Sequence, residues 1–140
     1  MKIRKANQKD AEAIAALLEQ LGYPRTQTFL AERINLLAGD SGEELVVGEE
    51  GGRVVAVLSL HFIPQLAVEG PFARISYLCV QEGLRSKGIG RQLEEYAEKA
   101  ARARGCDRME LHCYARRTDA HRFYFRQGYE ESPTYLMKRC

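Results

Sequence analysis

A chain of 140 residues is long enough for one domain with a real core and too short for two. Hydrophobic residues make up 45% and charged residues 29%, a globular balance that excludes a disordered chain. Twenty-one Lys and Arg against nineteen Asp and Glu leave a net charge of +2, too little to imply a nucleic-acid or membrane partner. No run approaches the ~18 apolar residues of a membrane span, and no export segment follows Met1-Lys2-Ile3-Arg4-Lys5, so a cytoplasmic soluble protein is expected. Cys79, Cys106, Cys113 and Cys140 contain no C-x-x-C pair, which suits reduced, mostly buried thiols better than a zinc site or a disulfide framework.

Lys2 to Ala6 alternates and reads as a first strand. Asn7 can cap the next helix, in which Ile14, Leu17, Leu18 and Leu21 recur at helical spacing; Gly22 ends it and Pro24 keeps the break open. A second helix is predicted over Thr28 to Ala38, with Phe29, Leu30, Ile34 and Leu37 on one stripe. The period then changes. Leu45 to Gly48 and Arg53 to Ile63 are β-branched runs around Glu50-Gly51-Gly52, a hairpin signal. Phe72 to Val80 is a third run, and Gly88 to Arg104 a long amphipathic helix closed by Gly105. Arg108 to Cys113 reads as a strand, Thr118 to Gln127 as a short helix ended by Gly128, and Thr134 to Lys138 as a last strand. The order β-α-α-β-β-β-α-β-α-β predicts a single α+β domain over residues 1–140, with helices flanking a mixed, largely antiparallel sheet.

The segment that carries chemistry is V-Q-E-G-L-R-S-K-G-I-G-R-Q-L, Val80 to Leu93, which joins a strand to the long helix. Gly88 and Gly90 lack side chains where a backbone must approach a ligand, and the first helical turn presents N–H groups to an anion. Arg85, Lys87 and Arg91 add positive charge at the same point, so the segment reads as a pyrophosphate cradle. It is not a dinucleotide fingerprint, because position 93 is Leu93, and not a P-loop, because Gly88 is followed by Ile89.

Arg85, Gly88 and Gly90 form R-x-x-G-x-G between a strand and a helix, which resembles the acetyl-CoA signature of the GNAT superfamily. D-A-H-R-F-Y-F-R-Q-G-Y, Asp119 to Tyr129, resembles the next block of that superfamily through Ala120, Phe123, Tyr124, Gly128 and Tyr129. Within it, the C-terminal third looks closest to aminoalkylphosphonate N-acetyltransferases, through A-H-R-F-Y-x-R-x-G-Y-E and the Leu60-His61 pair. The resemblance implies an acyl-CoA N-acyltransferase fold and direct transfer of an acetyl group from acetyl-CoA to a primary amine of a small molecule. It implies that Leu78, Cys79 and Val80 hold the pantetheine arm, with the Cys79 N–H facing the acetyl oxygen. Arg85, Ser86, Lys87, Gly88, Ile89, Gly90 and Arg91 would hold the pyrophosphate.

Transfer requires a neutral amine, a polarised carbonyl and a protonated leaving thiolate. Tyr124 is the candidate acid; periodicity alone makes it a core aromatic beside Phe123, and the family match assigns it the proton, since a phenol near ~10 matches a thiol near ~8.5. The base is open. Family members often carry a Glu on the strand before the pyrophosphate loop, and Ala73 to Val80 holds no carboxylate. Tyr77, His61, His112, a relayed water, or Glu43 and Glu44 from an inward-folding loop are the substitutes. Three isolated histidines make a built-in metal site unexpected. Arg117 stands where many members have Asn, and Arg74, Arg116, Arg117 and Arg122 are candidate counter-charges for an anionic acceptor. The missing carboxylate keeps open a non-catalytic acetyl-CoA-binding regulatory module, a broad acceptor groove would indicate a protein or peptide acetyltransferase, and the last strand offers an edge for a homodimer.

Overall fold

The computed structural model describes residues 1–85, 87–113, 117–132 and 135–140, and the chain divides into two units, Met1–Glu110 and Leu111–Cys140. Strand β1 (Lys2–Lys5) leads to Asn7, whose side chain accepts from the Lys9 N–H while the Asp10 carboxylate accepts from the Asn7 N–H, a reciprocal cap on a short 3-10 turn. Helix α1 (Ala11–Leu21) continues from it and stops at Gly22, which takes the left-handed conformation. A 3-10 turn at Thr26–Thr28 precedes helix α2 (Leu30–Ala38), so the second helix starts two residues later than its apolar stripe suggests.

Strands β2 (Glu43–Glu50) and β3 (Arg53–Ile63) form the hairpin foreseen around Gly51 and Gly52, whose φ values of 57° and 78° are those a tight two-residue turn demands. Strand β4 (Phe72–Val80) and helix α3 (Ile89–Ala103) follow, and the first unit ends within strand β5 (Arg108–Leu111), which stops two residues short of its expected limit. The five strands lie in the order β1-β2-β3-β4-β5, and β1 to β4 pair antiparallel throughout. One face of the sheet is covered by α1 and α2, where Ile14, Leu17, Leu30, Ile34, Val47, Val57 and Cys79 form a buried cluster. The other packs against α3, whose Ile89, Leu93, Ala97 and Ala101 are buried. Burial on both faces explains why β3 is apolar from Val54 to Ile63 except at Ser59 and His61.

The β3–β4 ladder is regular except at one point. Leu60 pairs with Ile75 and Ser59 with Tyr77, so Ser76 is an extra residue, a β-bulge. At the other side of the sheet Arg4 places both guanidinium Nη atoms 2.8 Å from the two oxygens of Asp10 and its Nε 3.1 Å from Glu49. This pairing holds the buried Asp10 carboxyl below the usual carboxylate range. A carboxyl with a lowered folded value contributes stability above its unfolded value of about 3.9, and that contribution is lost as pH falls through the folded value. Asp10→Asn is therefore expected to cost about 2 to 3 kcal/mol at pH 7 and progressively less as pH falls below about 3.9, read as the gap between urea midpoints; a gap that does not shrink as pH falls would contradict the ion pair's role.

In the second unit, helix α4 (Thr118–Arg126) is followed by Gly128 at φ 95°. The expected strand over Thr134 to Lys138 is not formed: Thr134 lies outside the described residues and Tyr135 to Lys138 are irregular. A strand needs a neighbouring ladder. The Tyr135 ring instead stacks on His112 with centroids 4.1 Å apart, and Leu136 and Met137 are exposed.

Candidate functional site

The loop between β4 and α3 is shaped by local bonds and two left-handed glycines. The Leu84 N–H donates to Gln81 O at 3.0 Å, Gly83 has φ 88° and Gly88, the residue before the helix, φ 81°. A Cβ at Gly88 would meet nothing within 4 Å, so glycine is needed there for its conformation and leaves open space. The first helical bond is from the Gln92 N–H to Gly88 O at 3.0 Å, and helix geometry leaves the N–H groups of Ile89, Gly90 and Arg91 without intrahelical acceptors. Ile89 is buried and anchors this end to the sheet. Arg85, Lys87 and Arg91 are exposed, and Arg91 holds Glu95 at 2.9 Å. Ser86 lies outside the described residues.

The start of this loop is gripped from α1. The Gln20 amide donates to Val80 O at 2.8 Å and accepts from the Glu82 N–H at 2.6 Å. Sequence reasoning gave Gln20 no role, because nothing in its spacing marks it off from a solvated helix position. Gln20→Ala releases both backbone groups and is expected to weaken acetyl-CoA binding about 10-fold, with little change in melting temperature. Calorimetry with a thermal melt tests this, and wild-type affinity in the variant would leave Gln20 a surface contact.

Along β4, Tyr77 is partly exposed with its ring edge-on to Tyr23 at 5.4 Å, Leu78 and Val80 are half-buried, and Cys79 is buried with its thiol donating to Leu17 O at 3.2 Å. The expectation that the Cys79 N–H faces the acetyl oxygen is corrected by the ladder. The Gln81 N–H donates to Val55 O of β3 at 2.8 Å. N–H groups alternate sides along an extended strand, so that of Cys79 also turns to β3. The Leu78 and Val80 N–H groups turn the other way, to the side where β5 lies.

The bulge gathers three side chains that the sequence separates. Glu43, Ser76 and His61 meet: Glu43 Oε2 contacts His61 Nδ1, and His61 Nε2 lies 2.5 Å from Ser76 Oγ. A carboxylate against Nδ1 requires a proton there; in the neutral ring Nε2 is then the acceptor for the serine hydroxyl, whose oxygen also lies 3.4 Å from Ser59 O. Glu43 and Glu44 are strand residues of β2, where a loop was expected. The register brings Glu43 beside His61 and pairs His61 with Arg74, while Ser76 joins them only through the bulge. Arg74 reaches Glu110 at 3.3 Å, and its buried Nε has no hydrogen-bond partner among the described residues. Glu44, one residue on and facing α3, accepts from the Tyr96 hydroxyl at 2.5 Å. Burial first, then Glu44, pushes that phenol up to about 12, so it remains a donor at neutral pH.

Tyr124 lies in α4 within an edge-to-face aromatic cluster, 5.0 Å from Phe123 and 5.4 Å from Tyr129 between centroids. His112 is taken up by its stack on Tyr135, and the His121 ring stands edge-on to Phe125 at 6.4 Å. Arg122 is paired with Asp119, Arg117 precedes α4 and is exposed, and Arg116 is outside the described residues.

A model of the Acetyltransferase (GNAT) family matches residues 11–129, spanning the loop and Tyr124 alike. The chain belongs to the GNAT family of acetyltransferases. It is 33% identical over 135 residues to the aminoalkylphosphonate N-acetyltransferase of Salmonella typhimurium strain LT2, covering 93% of this chain and 85% of that one. Among solved structures, a transcriptional regulator from Bacillus halodurans C-125 superimposes with a TM-score of 0.90 at 26% identity over 99% of both chains. An aminoglycoside N-acetyltransferase in complex with CoA superimposes with a TM-score of 0.87 over 99% of this chain and 93% of its own, at 15% identity a likeness of fold alone. This GNAT acetyltransferase thus has the mixed, largely antiparallel sheet that its sequence predicted. Among its described residues no helix is long and apolar enough to cross a membrane.

Proposed function

We propose that this acetyltransferase moves the acetyl group of acetyl-CoA directly to the primary amine of a small molecule bearing an anionic group of the phosphonate kind. The observation that carries this reading is the 33% identity, over 93% of the chain, to an aminoalkylphosphonate N-acetyltransferase. The geometry supports it at both ends. The open left-handed Gly88, the unpaired first turn of α3 with Ile89 and Gly90, and the cations Arg85, Lys87 and Arg91 suit a pyrophosphate; Ser86 is assigned to the same ligand from the sequence alone. Leu78, Cys79 and Val80 form the strand beside which the pantetheine arm runs, and the outward Leu78 N–H polarises the acetyl carbonyl. Tyr77, partly exposed beside the bulge, lines the acceptor end. Arg74, with one buried donor still unpaired among the described residues, supplies positive charge for the acceptor's anion. Tyr124 protonates the departing thiolate.

The test is release of CoA thiol with a panel of amines at fixed acetyl-CoA. 2-Aminoethylphosphonate is expected to be turned over with kcat/KM at least about 10-fold above that of ethylamine, which lacks the anion. Equal rates for both would remove the anionic acceptor from the reading, and no thiol release with any amine would remove the amine.

A further inference from the structure

We propose that Glu43, His61 and Ser76 form a proton relay that deprotonates the acceptor amine, with Ser76 as the group that touches it, His61 as the proton's destination and Glu43 as the residue that orients and charges the imidazole. The relay rests on the amine-acetylation reading above and supplies the base for which β4 has no carboxylate. Three observations carry it. The extra residue of the bulge is the serine itself, and its side chain is exposed, so a ligand can reach the hydroxyl. Its oxygen lies within hydrogen-bond reach of His61 Nε2, which gives a proton a path from one to the other. The far nitrogen of the ring is held by Glu43, whose Oε2 is buried against it, so a positive imidazole has a counter-charge inside the protein.

Its place on the strand fits the attack. Ser76 precedes Leu78 by two residues, about 7 Å of extended chain, so an amine bonded to Ser76 Oγ lies close to a thioester whose oxygen rests on the Leu78 N–H. An ammonium acceptor carries two protons more than the amide product. The first passes to Ser76 Oγ as the serine's own proton passes to His61 Nε2, and leaves from there to water. The second leaves nitrogen as the C–N bond forms and the C–S bond breaks with its electron pair on sulfur, and it ends on the coenzyme thiol. The charged groups facing His61 are Glu43 from β2, which favours the imidazolium, and Arg74 from β4, directly across the ladder, which opposes it and is itself paired with Glu110. Glu44 points to the opposite face, held by Tyr96.

The full chain tests this with acetyl-CoA and 2-aminoethylphosphonate. Binding of acetyl-CoA by calorimetry reports the cofactor end, and kcat/KM reports the base. His61→Gln and Ser76→Ala are expected to lower kcat/KM about 100-fold while holding acetyl-CoA affinity within about 2-fold of wild type. Ser76→Thr keeps the hydroxyl and is expected to recover most of the loss. Glu43→Gln is expected to lower kcat/KM about 10-fold, and Glu43→Asp, which keeps the carboxylate, to recover most of that loss. Wild-type rates in all of these variants would overturn the relay while leaving amine acetylation standing. Wild-type protein that binds acetyl-CoA and acetylates no amine would overturn both.

Discussion

A Gly88→Glu chain is expected to lose acetyl-CoA binding by at least about 100-fold while retaining its fold. Two effects add. The carboxylate stands at the open end of α3, where the N–H groups of Ile89, Gly90 and Arg91 and the helix dipole favour an anion, so it competes with the pyrophosphate and repels it. Any side chain also resists the φ of 81° seen at Gly88, at a cost of about 1 to 2 kcal/mol. Crowding contributes nothing, since a Cβ there meets no atom within 4 Å. Gly88→Asn separates the two effects, because Asn tolerates the left-handed region and carries no charge. Calorimetry on both variants, with circular dichroism as a fold control, gives the answer. Binding by Gly88→Glu at wild-type affinity would move the cofactor away from this loop.

Tyr124→Phe is expected to lower kcat about 100- to 1,000-fold with acetyl-CoA affinity preserved. Phenylalanine keeps the ring that packs edge-to-face against Phe123 and Tyr129, so the change removes only the hydroxyl. Without a donor the thiolate must leave as an anion, and acceptors should suffer alike whatever their anionic group. Acyl donors with more acidic thiols need the proton less and should lose less. A kcat within about 3-fold of wild type would return Tyr124 to the aromatic core that its helical spacing alone indicates.

The parts of this protein visible in its sequence are those set by neighbours along the chain. The strands Arg53–Ile63 and Phe72–Val80 have the limits their β-branched runs suggest, and Gly22, Gly51, Gly52, Gly88 and Gly128 each take the positive φ that makes glycine a stop or a turn. The loop proposed as a cradle was legible for the same reason, since its glycines, its cations and the helix start sit within one short segment. What depended on pairing between strands was not. Whether Glu43 belongs to a loop or to β2 is decided by its partner His61, and the extra residue at Ser76 exists only relative to β3. The direction of the Cys79 N–H depends likewise on the ladder that Gln81 closes with Val55. Tyr135 to Lys138 failed as a strand because alternation supplies a propensity and no partner edge.

The bulge has a consequence for how such a chain can vary. Ile75 and Tyr77 already pair with the consecutive residues Leu60 and Ser59, so deleting Ser76 would join them into an unbroken ladder and leave every core side chain on its own face. Packing does not ask for this residue. A one-residue loss in β4, which in most strands would turn the rest inside out, should here pass the test of folding and leave selection for activity alone to remove it.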